Sequence, residues 1–247
     1  MTREETSQKE LQFCRNAKAV YCFNWRAVCL NRISISIPTS CKSVLRNLVI
    51  SRLPPPRKHD VLFRFDPEWW TNACPNPFSD GREYREGYRT AALSLAIQAC
   101  QDSSLLDVYL YPTIFLYRHY TELTFKESIF TATDLLGRKR YPHGHNLKNL
   151  WAELKPLLNQ VCEHANYPPF PIEDVEGIEA YIDQMHQLDG DGARFRYLWT
   201  SKKQRSLPSD LQQVNIRIVA TAFEMLADYL DGVASFFDSL FQAKSDY

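Results

Sequence analysis

From Glu83 onward, apolar residues recur three and four positions apart in long runs, and this period constrains the chain more than any other feature. Side chains at those spacings share one face of an α-helix, so each run reads as a helix with a buried stripe. The chain holds 8 glycines in 247 residues. That is too few for many tight hairpins or for a glycine-rich phosphate loop, which strengthens the helical reading.

Five helices are expected. The first covers 85–100, with Ala91, Leu93, Leu95, Ala96 and Ala99 inside it, and Asp102-Ser103-Ser104 breaks it. The second covers 106–136 and tolerates Pro112 in its first turns. Its stripe is Leu110, Ile114, Phe115, Leu123, Ile129 and Phe130, and Gly137 is placed to cap its C-terminus. The third covers 146–164, with Leu147, Leu150, Trp151, Leu154, Leu157, Leu158 and Val161 on one side. The fourth covers 173–188 and ends at the turn Asp189-Gly190-Asp191-Gly192. The last starts at Pro208-Ser209-Asp210 and runs to about Ala243, through Val214, Ile218, Val219, Ala222, Met225, Leu226, Tyr229, Leu230, Val233 and Phe237. Such helices joined by short loops imply an all-α, up-and-down helical bundle.

Residues 1–60 read as an arm of uncertain order, and 61–247 as the bundle domain. The run Ile33-Ser34-Ile35-Ser36-Ile37 alternates like a strand, and 41–50 suggests a short helix. Pro54-Pro55-Pro56 is a stiff break. After it, 61–65 suggests a short extended piece. Asp66-Pro67-Glu68-Trp69-Trp70 suggests a short helix with Asp66 as its N-cap.

Charge excludes some partners. The 29 basic and 29 acidic side chains cancel, so no overall field draws in nucleic acid or anionic lipid, and any such site must be local. No apolar stretch is long enough for a membrane span, and the polar, acidic start is no secretory signal. The 7 cysteines are odd in number and never spaced as CxxC. Reduced thiols in a cytoplasmic protein are the expectation, with no metal and no cofactor. Cys14, Cys22, Cys29 and Cys41 lack the spacing of a zinc knuckle.

Three groups could carry chemistry. Arg118, Glu122 and Lys126 follow at four-residue steps on the second helix, with His119 beside them. If buried, they must pair, either as an ion pair that pins helix packing or as a polar site within the bundle. Arg138-Lys139-Arg140-Tyr141-Pro142-His143-Gly144-His145-Asn146-Leu147 joins three cations to two histidines just before a helix, where backbone N–H groups favour an anion. The alternative there is a solvated basic loop ending in a polar cap. Arg194-Phe195-Arg196-Tyr197-Leu198-Trp199, followed by Lys202, Lys203 and Arg205, alternates cations with aromatic rings. It suits either unpaired bases and phosphates or an aromatic plug at the bundle end. No P-loop, GxSxG, GxGxxG or HExxH occurs.

Tyr111-Pro112-Thr113-Ile114-Phe115-Leu116-Tyr117-Arg118-His119-Tyr120-Thr121-Glu122-Leu123, with Lys126 beyond it, resembles the second helix of HEPN-like domains. His145-Asn146-Leu147-Lys148-Asn149-Leu150 is similar to the His-Asp-Leu segment that opens their next helix, with Asn in place of Asp. Arg194-Phe195-Arg196-Tyr197 before a final helix is similar to an aromatic-basic segment of some members. The resemblance spans roughly 83–240. It implies an all-α homodimer from a prokaryotic toxin–antitoxin, anti-phage or RNA-processing setting, with a cognate antitoxin or defence partner. It also implies metal-independent RNA cleavage by an Arg and a His four to six residues apart. The late segment here carries no His, so the pairs Arg138–His143 and Arg140–His145 take that place. On this basis His145 and His143 are the acid/base candidates, and Arg140 and Arg138 stabilise phosphate. Arg118, His119, Glu122, Arg196 and Tyr197 bind or wall the site. The other expectation is a non-catalytic dimerisation or protein-interaction module.

Overall fold

The structure is a computed structural model that describes residues 55, 57–63, 65–75 and 81–245. The strand and helix expected within 33–50, and the four cysteines from Cys14 to Cys41, lie outside the described residues. The chain divides into two units, Met1–Pro77 and Phe78–Tyr247. That division lies further along the chain than the Pro54–Pro56 break.

In the first unit, Asp66 organises a turn. Its Oδ1 accepts the Glu68 N–H at 2.9 Å, and its carbonyl accepts Asn72 Nδ2 at 2.6 Å. The helical piece that follows is only the 3-10 turn Trp69–Thr71. Leu62 and Phe63 form a bend within the stretch expected to be extended.

The second unit is all-α, with no strand among the described residues. Its helices are α1 (Arg82–Gln101), α2 (Leu106–Leu135), α3 (Leu147–His164), α4 (Ile172–Asp189) and α5 (Ile216–Ser245). Three termini follow the sequence closely. Asn146 caps α3 by accepting the Asn149 N–H at 3.1 Å. Gly137, at φ 73°, ends α2. There Gly137 N–H bonds the Asp134 carbonyl at 2.9 Å and Arg138 N–H bonds the Thr133 carbonyl at 2.7 Å, the paired closure that a left-handed residue permits. Asp102 Oδ1 accepts the Ser104 N–H at 3.0 Å, opening the 3-10 turn that links α1 to α2.

One start differs. Pro208-Ser209-Asp210 does not open the last helix, which begins at Ile216. Asn215 supplies the cap, its Oδ1 accepting the Ile218 N–H at 3.1 Å. Residues 208–215 are turn and coil instead, with a Leu211 N–H to Pro208 carbonyl bond of 3.3 Å.

Side-chain pairs fix the helix directions. Arg85 pairs with Glu127 and Tyr88 meets His119, so α1 and α2 are antiparallel. His145 meets Glu122 while Arg140 bonds Thr133, so the chain returns along α2 into α3. Lys148–Asp183 and Lys155–Glu179 make α3 and α4 antiparallel. Tyr117–Glu224 and Tyr120–Asp231 keep a near-constant offset, so α5 runs parallel to α2. α3 itself runs in the same sense as α2, since Phe125 meets Trp151 while Glu153 pairs with Arg140 beside Thr133, so alternation breaks between α2 and α3. α5 runs against α4, as Phe170 just before α4 meets Tyr229 and Phe236 while Tyr181 and Met185 near its end share a groove with Ile218 and Ala222.

α2 packs against α1, α3 and α5. That position explains its sequence. Its buried side includes Tyr117, Phe125, Ile129 and Ala132, but also Thr113, Thr121, Thr124 and Ser128. Thr121 and Thr124 donate to carbonyls one turn back, at 3.0 and 2.9 Å, so their hydroxyls are satisfied without a partner helix. Of the expected α2 stripe, Ile114 and Ile129 are buried, while Leu110, Phe115, Leu123 and Phe130 are only partly so. A helix covered on three sides has no single stripe. On α1 the buried side is Arg85, Arg89, Ala92, Ala96 and Ala99, the alanines being short enough for close helix approach.

Candidate functional site

The site is built on the middle turns of α2. Arg118, Glu122 and Lys126 stack along one face because they are four residues apart. Glu122 is 3% exposed, so its charge requires partners. Its Oε1 accepts Lys126 Nζ at 2.9 Å and meets His145 Nδ1 at 2.7 Å. Its Oε2 lies 3.4 Å from Arg118 Nη1. Burial on its own would raise the Glu122 carboxyl. Hydrogen bonds from Lys126 and His145, with their charges, outweigh burial and hold it below the ordinary glutamate value. An ionised carboxylate can only accept, so Nδ1 of His145 carries the proton and donates. In the neutral ring this leaves Nε2 with the lone pair. The His145 side chain is 75% exposed. One ring edge is thus fixed by a buried carboxylate while the rest of the ring is open to solvent.

Arg118 ties three segments together. Its Nη2 donates to the His145 carbonyl at 2.8 Å, which fixes the backbone just before α3. Its Nε lies 3.6 Å from Oδ2 of Asp189, which is 2% exposed at the end of α4. Oδ1 of Asp189 accepts the Arg194 N–H at 2.9 Å, so the carboxylate also sets the start of the aromatic-basic segment. Gly192 lies against the guanidinium at φ 74°. A Cβ there would fall 2.5 Å from Arg118 Cζ. Gly192→Ala therefore combines left-handed strain with displacement of a buried cation. We expect a stability loss of about 2–4 kcal/mol by denaturant unfolding. A variant as stable as the parent would show that Arg118 can move away at little cost.

Arg196 and His119 join the same place through Phe115. The exposed Arg196 donates Nε to the Gly192 carbonyl at 2.8 Å, and its guanidinium lies 5.6 Å from the Phe115 ring centre and 5.3 Å from that of Tyr197. His119 stacks on Phe115 at 5.9 Å and meets the edge of Tyr88 at 4.4 Å. Burial, helped by the nearby cations Lys126, Arg118 and Arg196 and opposed by Glu122, pushes the His119 imidazole below its ordinary value. Arg118, His119, Glu122, His145, Arg196 and Tyr197 thus gather around one stretch of α2.

Arg138 and Arg140 do not join them. Arg138 Nη2 donates to Gln160 Oε1 at 2.6 Å, and Arg140 pairs with Glu153. At 1.5 Å per residue, Glu153 and Gln160 are roughly 9 and 20 Å along α3 from its first residue. Both cations brace the loop against α3, while His143 is exposed in the same loop. Asp189 and Gly192 were hidden in what reads as an ordinary Asp-Gly turn. A helix ending in Asp before Gly was the available signal.

A second polar cluster lies between α1, α2 and α5. Arg89 Nη1 and Nη2 donate to Asp231 at 2.6 Å, Glu224 at 2.6 Å and Asp228 at 2.5 Å. The Tyr117 and Tyr120 hydroxyls donate to Glu224 at 2.9 Å and Asp231 at 2.8 Å. Its signal was present in the sequence as Arg85 and Arg89 four apart, facing Glu224, Asp228 and Asp231 at helical spacing.

No described helix is long and apolar enough to cross a membrane. Among the described residues, no three His, Cys, Asp or Glu side chains group as metal ligands would. Comparison with protein-family models, curated proteins and solved structures gave no match.

Proposed function

We propose that this chain is a HEPN-like protein that acts on RNA by metal-independent cleavage, in a prokaryotic toxin or anti-phage defence setting. The setting comes from the resemblance of the α2 and α3 motifs. The observation that carries the chemistry is the His145–Glu122 pair, an exposed imidazole held at Nδ1 by a buried carboxylate, with Arg118, Lys126 and Arg196 around it.

Such a pair suits general-base work, because the carboxylate fixes the tautomer and stabilises the imidazolium that forms. In this reading Nε2 of His145 takes the 2′-hydroxyl proton. The 2′-oxygen attacks the adjacent phosphorus, and the bond to the 5′-oxygen breaks. His143 supplies the proton to the leaving 5′-oxygen. Arg196 stabilises charge on the phosphorane. Arg118 is buried and held by Glu122, Asp189 and the His145 carbonyl, so in this reading it positions rather than binds. Arg138 and Arg140 hold the loop, which moves the phosphate role from them to Arg196.

The test is purified protein with a mixed RNA pool in EDTA, beside His145→Ala. Cleavage that persists in EDTA and disappears in the variant is the expected result. Intact RNA with folded parent protein would overturn it.

A second reading is a non-catalytic dimerisation or protein-interaction module. It draws support from Ile218 and Met225, 64% and 60% exposed on α5. Ile218 borders an apolar groove of about 230 Å³ also lined by Ile114, Tyr181, Met185 and Leu188.

A further inference from the structure

The segment after Arg196 forms a small hairpin with an unusual surface. Trp199 and Arg205 make an antiparallel bridge. Thr200 N–H bonds the Gln204 carbonyl at 2.8 Å, Ser206 N–H bonds the Leu198 carbonyl at 3.2 Å, and Lys203 turns the chain at φ 58°. Anchoring falls to Phe195 and Ser206, which are buried. Of the three aromatic residues in this segment, Phe195 is buried. Tyr197 and Trp199 are 59% and 53% exposed.

Each of these rings is paired with a guanidinium. Arg205 lies 4.5 Å from the Trp199 ring centre and Arg196 lies 5.3 Å from that of Tyr197. Tyr197 closes a turn on the Ala193 carbonyl and the chain bends at Leu198 before Trp199, so both rings are presented to solvent at the base of the hairpin. Between Asp191 and Asp210 the chain carries Arg194, Arg196, Lys202, Lys203 and Arg205 and no carboxylate. In a chain of zero net charge this is a local concentration of cations around exposed rings. Protein interfaces favour a contiguous apolar centre, whereas here cations interrupt the aromatic residues. Rings flanked by cations fit a strand whose bases are unstacked and whose phosphates are near.

We propose that this hairpin is a platform for single-stranded RNA, with bases stacking on Tyr197 and Trp199 and phosphates meeting Arg196, Lys202, Lys203 and Arg205. The inference rests on RNA being the ligand of the His145–Glu122 site. It adds a substrate class to that reading. Paired RNA keeps its bases within the helix and offers the rings nothing to stack on. The strand is delivered to the site because Arg196 touches both Tyr197 of the hairpin and Phe115 of α2.

The experiment is fluorescence anisotropy with a labelled oligouridylate, using the full chain carrying His145→Ala so that nothing is cut. Adding Trp199→Ala or Tyr197→Ala should weaken binding roughly 10-fold each, while Trp199→Phe should retain most of the affinity. Lys202→Ala with Lys203→Ala should flatten the salt dependence of binding. A duplex of matched length should bind more weakly and be indifferent to Trp199→Ala. Equal affinity in parent and ring variants overturns the platform, even where the parent chain cleaves RNA. Trp199-dependent binding by a chain that never cleaves RNA supports the platform and removes the catalytic reading instead. Loss of self-association in Trp199→Ala with no change in RNA affinity overturns it in favour of a protein interface.

Discussion

A Glu122→Gln variant should lose RNA cleavage by about 10²–10⁴-fold while remaining folded. The carboxylate has two acceptor oxygens and uses both. Oε1 takes Lys126 and His145, and Oε2 faces Arg118. An amide has one acceptor and two donor hydrogens. Turned one way, it points N–H at Arg118. Turned the other way, it points N–H at Lys126 and at His145 Nδ1, which moves the ring proton to Nε2 and removes the base. In both orientations the charge that stabilises the imidazolium is gone. Cleavage rate under EDTA is the measurement, with thermal melting to establish that the variant folds. His145→Ala should be as inactive, and the double variant no worse, because the two side chains act as one unit. Undiminished cleavage by a folded Glu122→Gln protein would reduce the pair to a helix-packing contact.

The helices were legible because their cores are written in period. α3 shows this best. Leu147, Leu150, Trp151, Leu154, Leu157, Leu158 and Val161 are all buried, as expected from their spacing, and Asn146 caps the helix. α5 was less legible. Its start was placed at Pro208 because Pro-Ser-Asp is a good opening, yet Asn215 provides a cap in a better position to bring Ile216, Phe223 and Leu230 onto the core. Ile218 and Met225 were assigned to that core and are exposed, since long apolar side chains satisfy a stripe pattern without being on the contact face. α2 hid its burial. Threonines that bond their own backbone look polar in sequence and behave as core in the fold.

The site was legible along the chain but not across it. Arg118, Glu122 and Lys126 announce themselves as a charged column in an apolar helix, and His145 as a residue at a helix start. Nothing in the sequence states that His145 reaches Glu122 while Arg140, five residues earlier, turns to Glu153. That choice is made by the antiparallel path of 136–146 along α2, which places successive loop residues at successive depths. Asp189 and Gly192 are further from view, because their role depends on where the end of α4 meets Arg118.

Arg89→Met should cost about 3 kcal/mol, seen as a melting temperature lower by roughly 6–12 °C. Burial opposes the Arg89 charge, but the hydrogen bonds it donates to Glu224 and Asp228 outweigh burial and hold its proton more tightly than in a free arginine. Around it, burial, reinforced by the neighbouring carboxylates, pushes the Tyr117 and Tyr120 phenols well above their ordinary value, so both stay protonated and donate. Methionine approximates the aliphatic stem of arginine but leaves Glu224, Asp228 and Asp231 facing one another, with Arg85 still holding Glu127 and Asp231. The side chain of Asp228 is 75% exposed and can turn to water. Those of Glu224 and Asp231, at 20% and 30%, are far less able to do so. Arg89→Lys should fall between the two, since one ammonium cannot bridge three carboxylates as a planar fork does. Adding Glu224→Gln to Arg89→Met should recover part of the loss, because it removes a carboxylate charge whose guanidinium is gone while an amide oxygen can still accept from Tyr117. A full-length Arg89→Met protein that melts with the parent would mean that α1 and α5 are held by their alanine and aromatic contacts, and that the carboxylates on α5 are solvated well enough to stand without the arginine.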